Sequence, residues 1–157
     1  MPELIGGRVQ GYAVNVPLTD GLDDDMFIHH AFVPVIDGIM EHYNPTAIVL
    51  QCGADSLAGD KIGKFNVTTR GHAEAGRYLR ESYPEVPIMV LGGGGYTISN
   101  VARTWSYETV AMLGYQDDQI PHLCPMVRCS AYLTPYVCVQ LHISVRLREA
   151  LFCAKIP

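Results

Sequence analysis

The chain has 157 residues, a formal net charge of −5 and 48% hydrophobic residues. This composition excludes a large multidomain assembly, argues against disorder, and makes a generic nucleic-acid-coating protein a poor fit. Without an apolar run of about 18 residues, no membrane span is predicted, and five cysteines without CxxC spacing indicate neither a zinc finger nor a thioredoxin-type site. We expect a reducing compartment, the cytoplasm or the nucleus.

The first predicted elements are a short strand and a long helix. Residues 12–16 are β-prone and end at Pro17. The acidic run at 23–25 suits a helix N-terminus, where carboxylates meet free N–H groups. An apolar stripe at helical spacing then covers 27–43, and Pro34 inside it predicts a kink.

The following elements alternate between strands and helices. Residues 47–52 (AIVLQC) and 87–91 (PIMVL) are short apolar runs, typical of strands covered on both faces in a parallel sheet. A helix capped by Thr68 or Thr69 is expected to end near Tyr83, and another covers 98–113. This order predicts an α/β architecture with right-handed crossovers.

Chemistry is expected where the two apolar strands end, because ligands of open α/β sheets bind beyond the carboxyl ends of the strands. Asp55 follows the first strand, and Gly92, Gly93, Gly94 and Gly95 lead from the second to Tyr96. Asp55 could hold a cation or simply close a turn, and Tyr96 could stabilise an oxyanion or be a rim aromatic. Four consecutive glycines indicate a close backbone approach or positive φ. The run lacks a P-loop Lys-Ser/Thr and a GxGxxG pattern, so it does not favour nucleotide binding.

Two long segments carry a family resemblance. QCGADSLAGDKIGKFNVTTRGH at 51–72 and LGGGGYTISNVARTWSYETV at 91–110 resemble the C-terminal half of the class I, Rpd3-type histone deacetylase domain, and YAVNVPLTDGLDDD at 12–25 is similar to its preceding segment. The resemblance implies a partial arginase/deacetylase-type α/β fold, with a central parallel sheet flanked by helices and incomplete in this chain. It assigns residues 1–116 to the later half of the catalytic domain and 117–157 to a divergent tail.

The resemblance implies zinc-dependent hydrolysis of acetyl-lysine in histones, in which zinc polarises the acetyl carbonyl and activates water. Asp55 matches one of the family's two metal-binding aspartates, and Tyr96 matches the tyrosine that donates to the tetrahedral oxyanion. Further residues match the family's acetyl-lysine tunnel. Ile62 matches a residue at the mouth of the tunnel, and Gly93, Gly94 and Gly95 match part of its wall. Tyr12 aligns with a residue whose backbone contributes to a monovalent-cation site for K⁺.

The sequence departs from the family in its metal and acid–base residues. The family's other aspartate and its histidine ligand, the tandem histidine pair and most tunnel aromatics belong to a motif that this sequence does not contain. His29 and His30 are interpreted as a partly exposed helical pair, and His72 as a helix residue, not a ligand. Since a catalytic zinc site normally needs three protein ligands, we expect this chain alone to bind zinc weakly and not to deacetylate.

The resemblance also implies nuclear partners, namely acetylated histone tails and corepressor subunits, with no direct nucleic acid and no membrane. Some members bind an inositol phosphate through two basic residues; Lys61 keeps the positive charge at one position, whereas Ser99 replaces an arginine at the other. The expected localisation is the nucleus, with the cytoplasm open.

Three other interpretations stay open. A non-catalytic, corepressor-binding or dominant-negative fragment would co-purify with corepressor subunits without activity. A remnant that does not fold would expose an edge strand and aggregate. A related polyamine or acetoin-type deacetylase is also compatible with the fold.

Overall fold

The computed structural model describes residues 13–119, together with the backbone of two later strands, 142–146 and 151–155. A π-helix, Met26–Phe32, runs directly into helix α1, and strands and helices then alternate to residue 112. The elements are α1 (Val33–Tyr43), β1 (Ile48–Cys52), α2 (Thr69–Ser82), β2 (Ile88–Gly92), α3 (Ile98–Met112), β3 (His142–Arg146) and β4 (Leu151–Lys155). None of the helices in these residues is long and apolar enough to cross a membrane.

The sheet confirms the predicted α/β class. Strands β1 and β2 pair in parallel, from Ile48 opposite Ile88 to Cys52 opposite Gly92, and α2 connects them. The full strand order is β2-β1-β3-β4, in which β3 is antiparallel to both β1 and β4. The parallel pair and its helices therefore have the architecture that the resemblance implies, and two antiparallel strands extend the sheet on the β1 side.

The predicted strand at 12–16 is wrong over the residues that the structure describes. Residues 13–16 form neither helix nor strand, and Tyr12 lies outside the described residues. High β-propensity reflects a side chain that fits a half-buried pleated surface, and Val14 and Asn15 are exposed without a partner strand. The monovalent-cation site proposed around Tyr12 stays a prediction.

The acidic start of the first helix is confirmed, and one of its carboxylates has a further role. Asp23 Oδ1 accepts the N–H of Met26 at 3.0 Å, as a capping residue does. Asp24 instead accepts the N–H of Thr68 at 2.6 Å and its hydroxyl at 2.5 Å. Thr68, the N-cap of α2, in turn accepts the N–H of Gly71 at 3.1 Å. The N-termini of two helices are thus joined.

The helix changes its hydrogen-bond pattern near Pro34, where the sequence predicts a kink. The N–H of Val33 donates to the carbonyl of Ile28, five residues earlier, as in a π-helix. Pro34 occupies the first turn of α1, where its missing N–H costs least. The irregularity is therefore a widened turn that precedes the proline.

The main core lies on one face of the sheet, beneath the π-helix, α1 and α2. Its buried members are Leu22, Phe27, Ile28, Phe32, Ile36, Ile48, Leu50, Cys52, Val67, Ala75 and Leu79. This core covers strand β1, as predicted.

Strand β2 differs from this prediction. It is not buried, because Met89 and Leu91 are 60% and 45% exposed. Strand β2 is outermost in the sheet, so only the β1 side of its backbone is paired.

The segment after α3 remains attached to the helices. Asp117 pairs with Arg70 Nε at 2.9 Å and with Arg77 Nη2 at 2.5 Å, both on α2. Partial burial alone would raise the pKa of Asp117, but hydrogen bonds from Tyr107 and Arg77 and the two guanidinium charges lower it. The division of the chain at 116 stays a prediction, and residue 117 is bound to α2.

Candidate functional site

The loops that follow β1 and β2 lie together at one edge of the sheet. Cys52 and Gly92 are the last paired residues, so both strands end at the same level. The β1 loop begins with a 3₁₀ turn, Ala54–Ser56, which carries Asp55. The N–H of Ala54 donates to the carbonyl of Gly94 at 2.6 Å. The structure thus brings the aspartate loop and the glycine loop together.

Glycines enclose Asp55 on two sides. A side-chain carbon on Gly94 would lie 2.2 Å from Asp55 Oδ2, and one on Gly63 would lie 1.6 Å from the Asp55 carbonyl oxygen. Gly95 has a φ of +143°, and a side-chain carbon there would lie 2.6 Å from Val101 Cγ2. Both predicted reasons for the glycine run, close approach and positive φ, are therefore confirmed.

Asp60 connects the loop that carries Asp55 to the backbone of Tyr96. Its Oδ1 accepts the N–H groups of Ile62 at 2.8 Å and Gly63 at 3.0 Å, and its Oδ2 accepts the N–H of Tyr96 at 2.7 Å. Desolvation alone would raise the pKa of Asp60, but hydrogen bonds from the backbones of Gly63, Ile62, Tyr96 and Thr97 lower it below its usual value. Asp60 is therefore an ionised acceptor that holds two loops.

The outer surface of the site is apolar and lightly charged. Ile62 is 66% exposed and Tyr96 is 41% exposed. Lys61 is exposed in the turn that Asp60 organises, and Ser99 is exposed in the first turn of α3. Gly93 and Gly94 are buried behind this surface. Of the predicted site residues, only Tyr12 falls outside the described residues.

A buried ion pair lies behind the aspartate loop. His72 on α2 contacts the carboxylate of Glu108 on α3 through Nδ1, and its Nε2 lies 2.8 Å from the carbonyl oxygen of Gly53. Burial alone would lower the pKa of His72, but the charge and hydrogen bond of Glu108, the Gly53 carbonyl and the charge of Asp55 raise it. Both ring nitrogens face acceptors, an arrangement that favours the imidazolium form, which can donate to both.

Helix α3 also contacts the end of β1 through Trp105. Its indole N–H donates to the carbonyl of Cys52 at 2.9 Å. The Cys52 thiol is free and buried, and desolvation together with the carboxylate of Glu108 raises its pKa. It is therefore a core thiol and not a reactive one.

The other histidines of residues 13–119 are exposed on the π-helix and on α1. His29 and His30 are exposed on the π-helix, which confirms the interpretation as a helical surface pair, and His30 lies 3.6 Å from Asp25. His42 Nδ1 lies 2.9 Å from the Gly38 carbonyl. Nowhere in the described part of the chain do three or more His, Cys, Asp or Glu residues form a group that could hold a metal. Asp55 alone does not fit a catalytic zinc centre.

Sequence reasoning missed Asp60 and Glu108, although both leave a signal. Asp60 stands three residues before Gly63, a spacing typical of an aspartate that accepts nearby backbone N–H groups in a turn. Glu108 lies on the buried stripe of α3, between Thr104 and Ala111. A charged residue on such a stripe indicates a buried partner, because an unpaired charge there is costly.

Comparisons with known proteins agree with the resemblance. A family model described as histone deacetylase domain matches residues 1–112. Histone deacetylase 6 of Arabidopsis thaliana is 57% identical over 112 residues, which are 71% of this chain and 23% of that protein. Probable histone deacetylase 1-B of Xenopus laevis is 46% identical over 138 residues, which are 88% of this chain and 27% of that protein. The chain therefore spans about a quarter of the length of these relatives.

Proposed function

This chain belongs to the histone deacetylase family, and from that premise we propose that its two sheet-edge loops form part of a class I lysine deacetylase site. In this proposal Asp55 is a metal-binding aspartate and Tyr96 donates its phenol to the oxyanion that develops on the acetyl carbonyl. The observation that supports this proposal is the close approach of the Asp55 carboxylate to Gly94, in the loop that leads to Tyr96. The reaction of a complete site would be zinc-dependent hydrolysis of acetyl-lysine in histones.

We propose that this chain alone binds zinc weakly and does not deacetylate. Zinc in a complete site would polarise the acetyl carbonyl and activate water. Asp55 is one ligand where three are normally needed. His72 cannot take a metal while Glu108 and the Gly53 carbonyl occupy both of its ring nitrogens. A complete metal centre would therefore need ligands from outside residues 13–119.

The remaining assignments concern the surface around this edge. Ile62 would form the mouth of an acetyl-lysine tunnel, with Gly93, Gly94 and Gly95 as part of its wall; the exposure of Ile62 supports this placement. Lys61 would offer one positive charge to an inositol phosphate, with Ser99 unable to add a second. The chain would act in the nucleus, in chromatin regulation and transcription repression, and K⁺ would bind near Tyr12.

A second candidate function is a non-catalytic interaction protein that binds corepressor subunits and competes with a complete enzyme. The exposed apolar side chains of Met89 and Leu91 favour it, because large apolar groups on a sheet are usually covered. Co-purification of corepressor subunits with the full chain, without deacetylation, is the expected result. Loss of that association in Met89→Lys would support it, and a chain that captures none of these subunits would contradict it.

The catalytic proposal is tested with the purified full chain, an acetylated histone-tail peptide and added Zn²⁺. We expect no deacetylation, and zinc binding no tighter in the native chain than in Asp55→Ala. Turnover that Asp55→Ala and Tyr96→Phe both abolish would refute the proposed inactivity and support their roles. Asp118→Ala and Tyr115→Phe are the matched controls, since Tyr115 is 41% exposed, as is Tyr96.

A further inference from the structure

We propose that Asp60 is a positioning residue that fixes the backbone of Tyr96 relative to Asp55. The inference rests on the proposed function for the roles of Tyr96 and Asp55, while the connection between them rests on contacts of the described residues. Asp60 itself faces only backbone N–H groups in these contacts. It therefore acts through other residues and is not itself catalytic.

The first half of the connection runs from Asp60 to Tyr96. Asp60 Oδ2 accepts the Tyr96 N–H at 2.7 Å. This hydrogen bond crosses 36 residues of sequence and fixes the peptide group from which the Tyr96 side chain departs. Thr97 adds a neutral hydrogen bond between the same loops, since its hydroxyl donates to the carbonyl of Gly59 at 3.0 Å.

The second half runs from Asp60 to Asp55. Asp60 Oδ1 accepts the N–H of Gly63 at 3.0 Å. A side-chain carbon on Gly63 would lie 1.6 Å from the carbonyl oxygen of Asp55, so the two backbones are in contact there. The Asp60 carboxylate thus binds the backbone of Tyr96 through Oδ2. Through Oδ1 it holds the Gly63 turn in contact with Asp55.

A carboxylate suits this role because every contacting group is a donor. An ionised aspartate has only acceptors, distributed over two oxygens. The pKa of Asp60 is lowered by the backbone N–H groups that it accepts, despite its partial burial, as expected for this arrangement. In Asp60→Asn the one remaining oxygen would face the two N–H groups of Ile62 and Gly63, so the NH₂ group would face the N–H of Tyr96. All three N–H groups would also lose their charged acceptor, and the connection to Tyr96 would break.

The same carboxylate also shapes the exposed rim. Ile62 N–H donates to Asp60 Oδ1 at 2.8 Å, and Lys61 lies between these two residues in the chain. A change at Asp60 is therefore expected to move Tyr96 and the rim turn together. Independent movement of the two loops would not fit a single positioning residue.

Amide hydrogen exchange of the full chain tests the inference without a need for activity. In Asp60→Asn we expect the Tyr96 amide to exchange about tenfold faster or more, because it loses a charge-assisted hydrogen bond. The amides of Ile62 and Gly63 should exchange faster as well, while those of Ile48–Cys52 keep their rates. Thr97→Val, which removes the neutral hydrogen bond, should leave the Tyr96 amide protected.

An unchanged Tyr96 amide in Asp60→Asn would overturn the inference, as would an equal loss in Thr97→Val. If Asp60→Asn does not fold, the native chain decides the question by NMR. A scalar coupling between the Tyr96 amide nitrogen and the Asp60 carboxyl carbon is expected, and its absence would refute the connection. These readouts are independent of zinc and turnover, so the deacetylase proposal and this one can fail separately.

Discussion

His72 and Glu108, 36 residues apart in the sequence, form a buried ion pair that joins α2 to α3 behind the Asp55 loop. Both side chains are only 6% exposed. The second nitrogen of His72 holds the carbonyl of Gly53, two residues before Asp55. The pair therefore connects helix packing to the position of the proposed metal-binding residue.

Glu108→Gln is expected to lower the free energy of unfolding by about 1–3 kcal/mol, because glutamine keeps an oxygen that can accept from His72 but removes the charge that pairs with it. Urea denaturation of the native chain and of the Glu108→Gln variant measures this difference in the free energy of unfolding. Glu81→Gln is the control, because Glu81 is more than half exposed and its pair with Arg80 lies at the surface, where about 0–1 kcal/mol is expected. Equal losses in the two variants would contradict the buried-pair interpretation.

The stability that His72 contributes should decrease as the pH rises. Its pKa is raised in the folded chain, so the folded state holds the proton more tightly than the unfolded state. The contribution is complete below the unfolded pKa of about 6.5 and is lost as the pH rises through the higher, folded value. The difference in unfolding free energy between the native chain and His72→Gln, measured from pH 6 upwards, should therefore shrink. A difference that grows over this range would show that His72 is buried in its neutral form.

Gly94→Ala should destabilise the chain by about 1–3 kcal/mol, because the added methyl group overlaps the Asp55 carboxylate. Chemical denaturation with far-UV circular dichroism measures the change. Gly38→Ala in α1 is the matched substitution, and a methyl group there meets no atom within 4 Å. It should stabilise the helix by about 0.5–1 kcal/mol. If Gly94→Ala proves neutral, Asp55 is held less tightly than the contact implies.

Met89→Lys should reduce self-association of the chain. Met89 is the second residue of the edge strand β2, and an exposed apolar edge strand is prone to pair with another chain, which a charged side chain opposes. Sedimentation velocity over a concentration series measures the effect. Met26→Lys is the control, because Met26 is 47% exposed on the π-helix and not on a strand. A similar decrease for both variants would point to general solubility and not to strand pairing.

The elements between residues 47 and 113 could be predicted from the sequence because their signals are local. Short apolar runs bounded by turn residues gave β1 and β2 to within one residue at each end, and Thr68 caps α2 as expected. The same pattern could not show that β2 is exposed. Its apolar run is that of a covered strand, and exposure depends on what packs against it.

The candidate site was predictable where it depends on sheet topology and was not where it depends on side-chain contacts. Asp55 and the glycine run follow neighbouring parallel strands, so their proximity could be expected. The contacts of Asp60 with Tyr96 and of His72 with Glu108 join residues 36 positions apart. The first contact depends on the path of two loops, and the second depends on the packing of α2 against α3.

Trp105, the single tryptophan of the chain, donates its indole N–H to the last residue of β1. Its emission therefore comes from one known position, where the indole contacts Cys52, three residues before Asp55 in the sequence. A red shift would report that water has reached the indole where α3 contacts the strand. The chain thus contains its own fluorescent probe of the proposed site, and no label is needed to follow that site during unfolding or ligand addition.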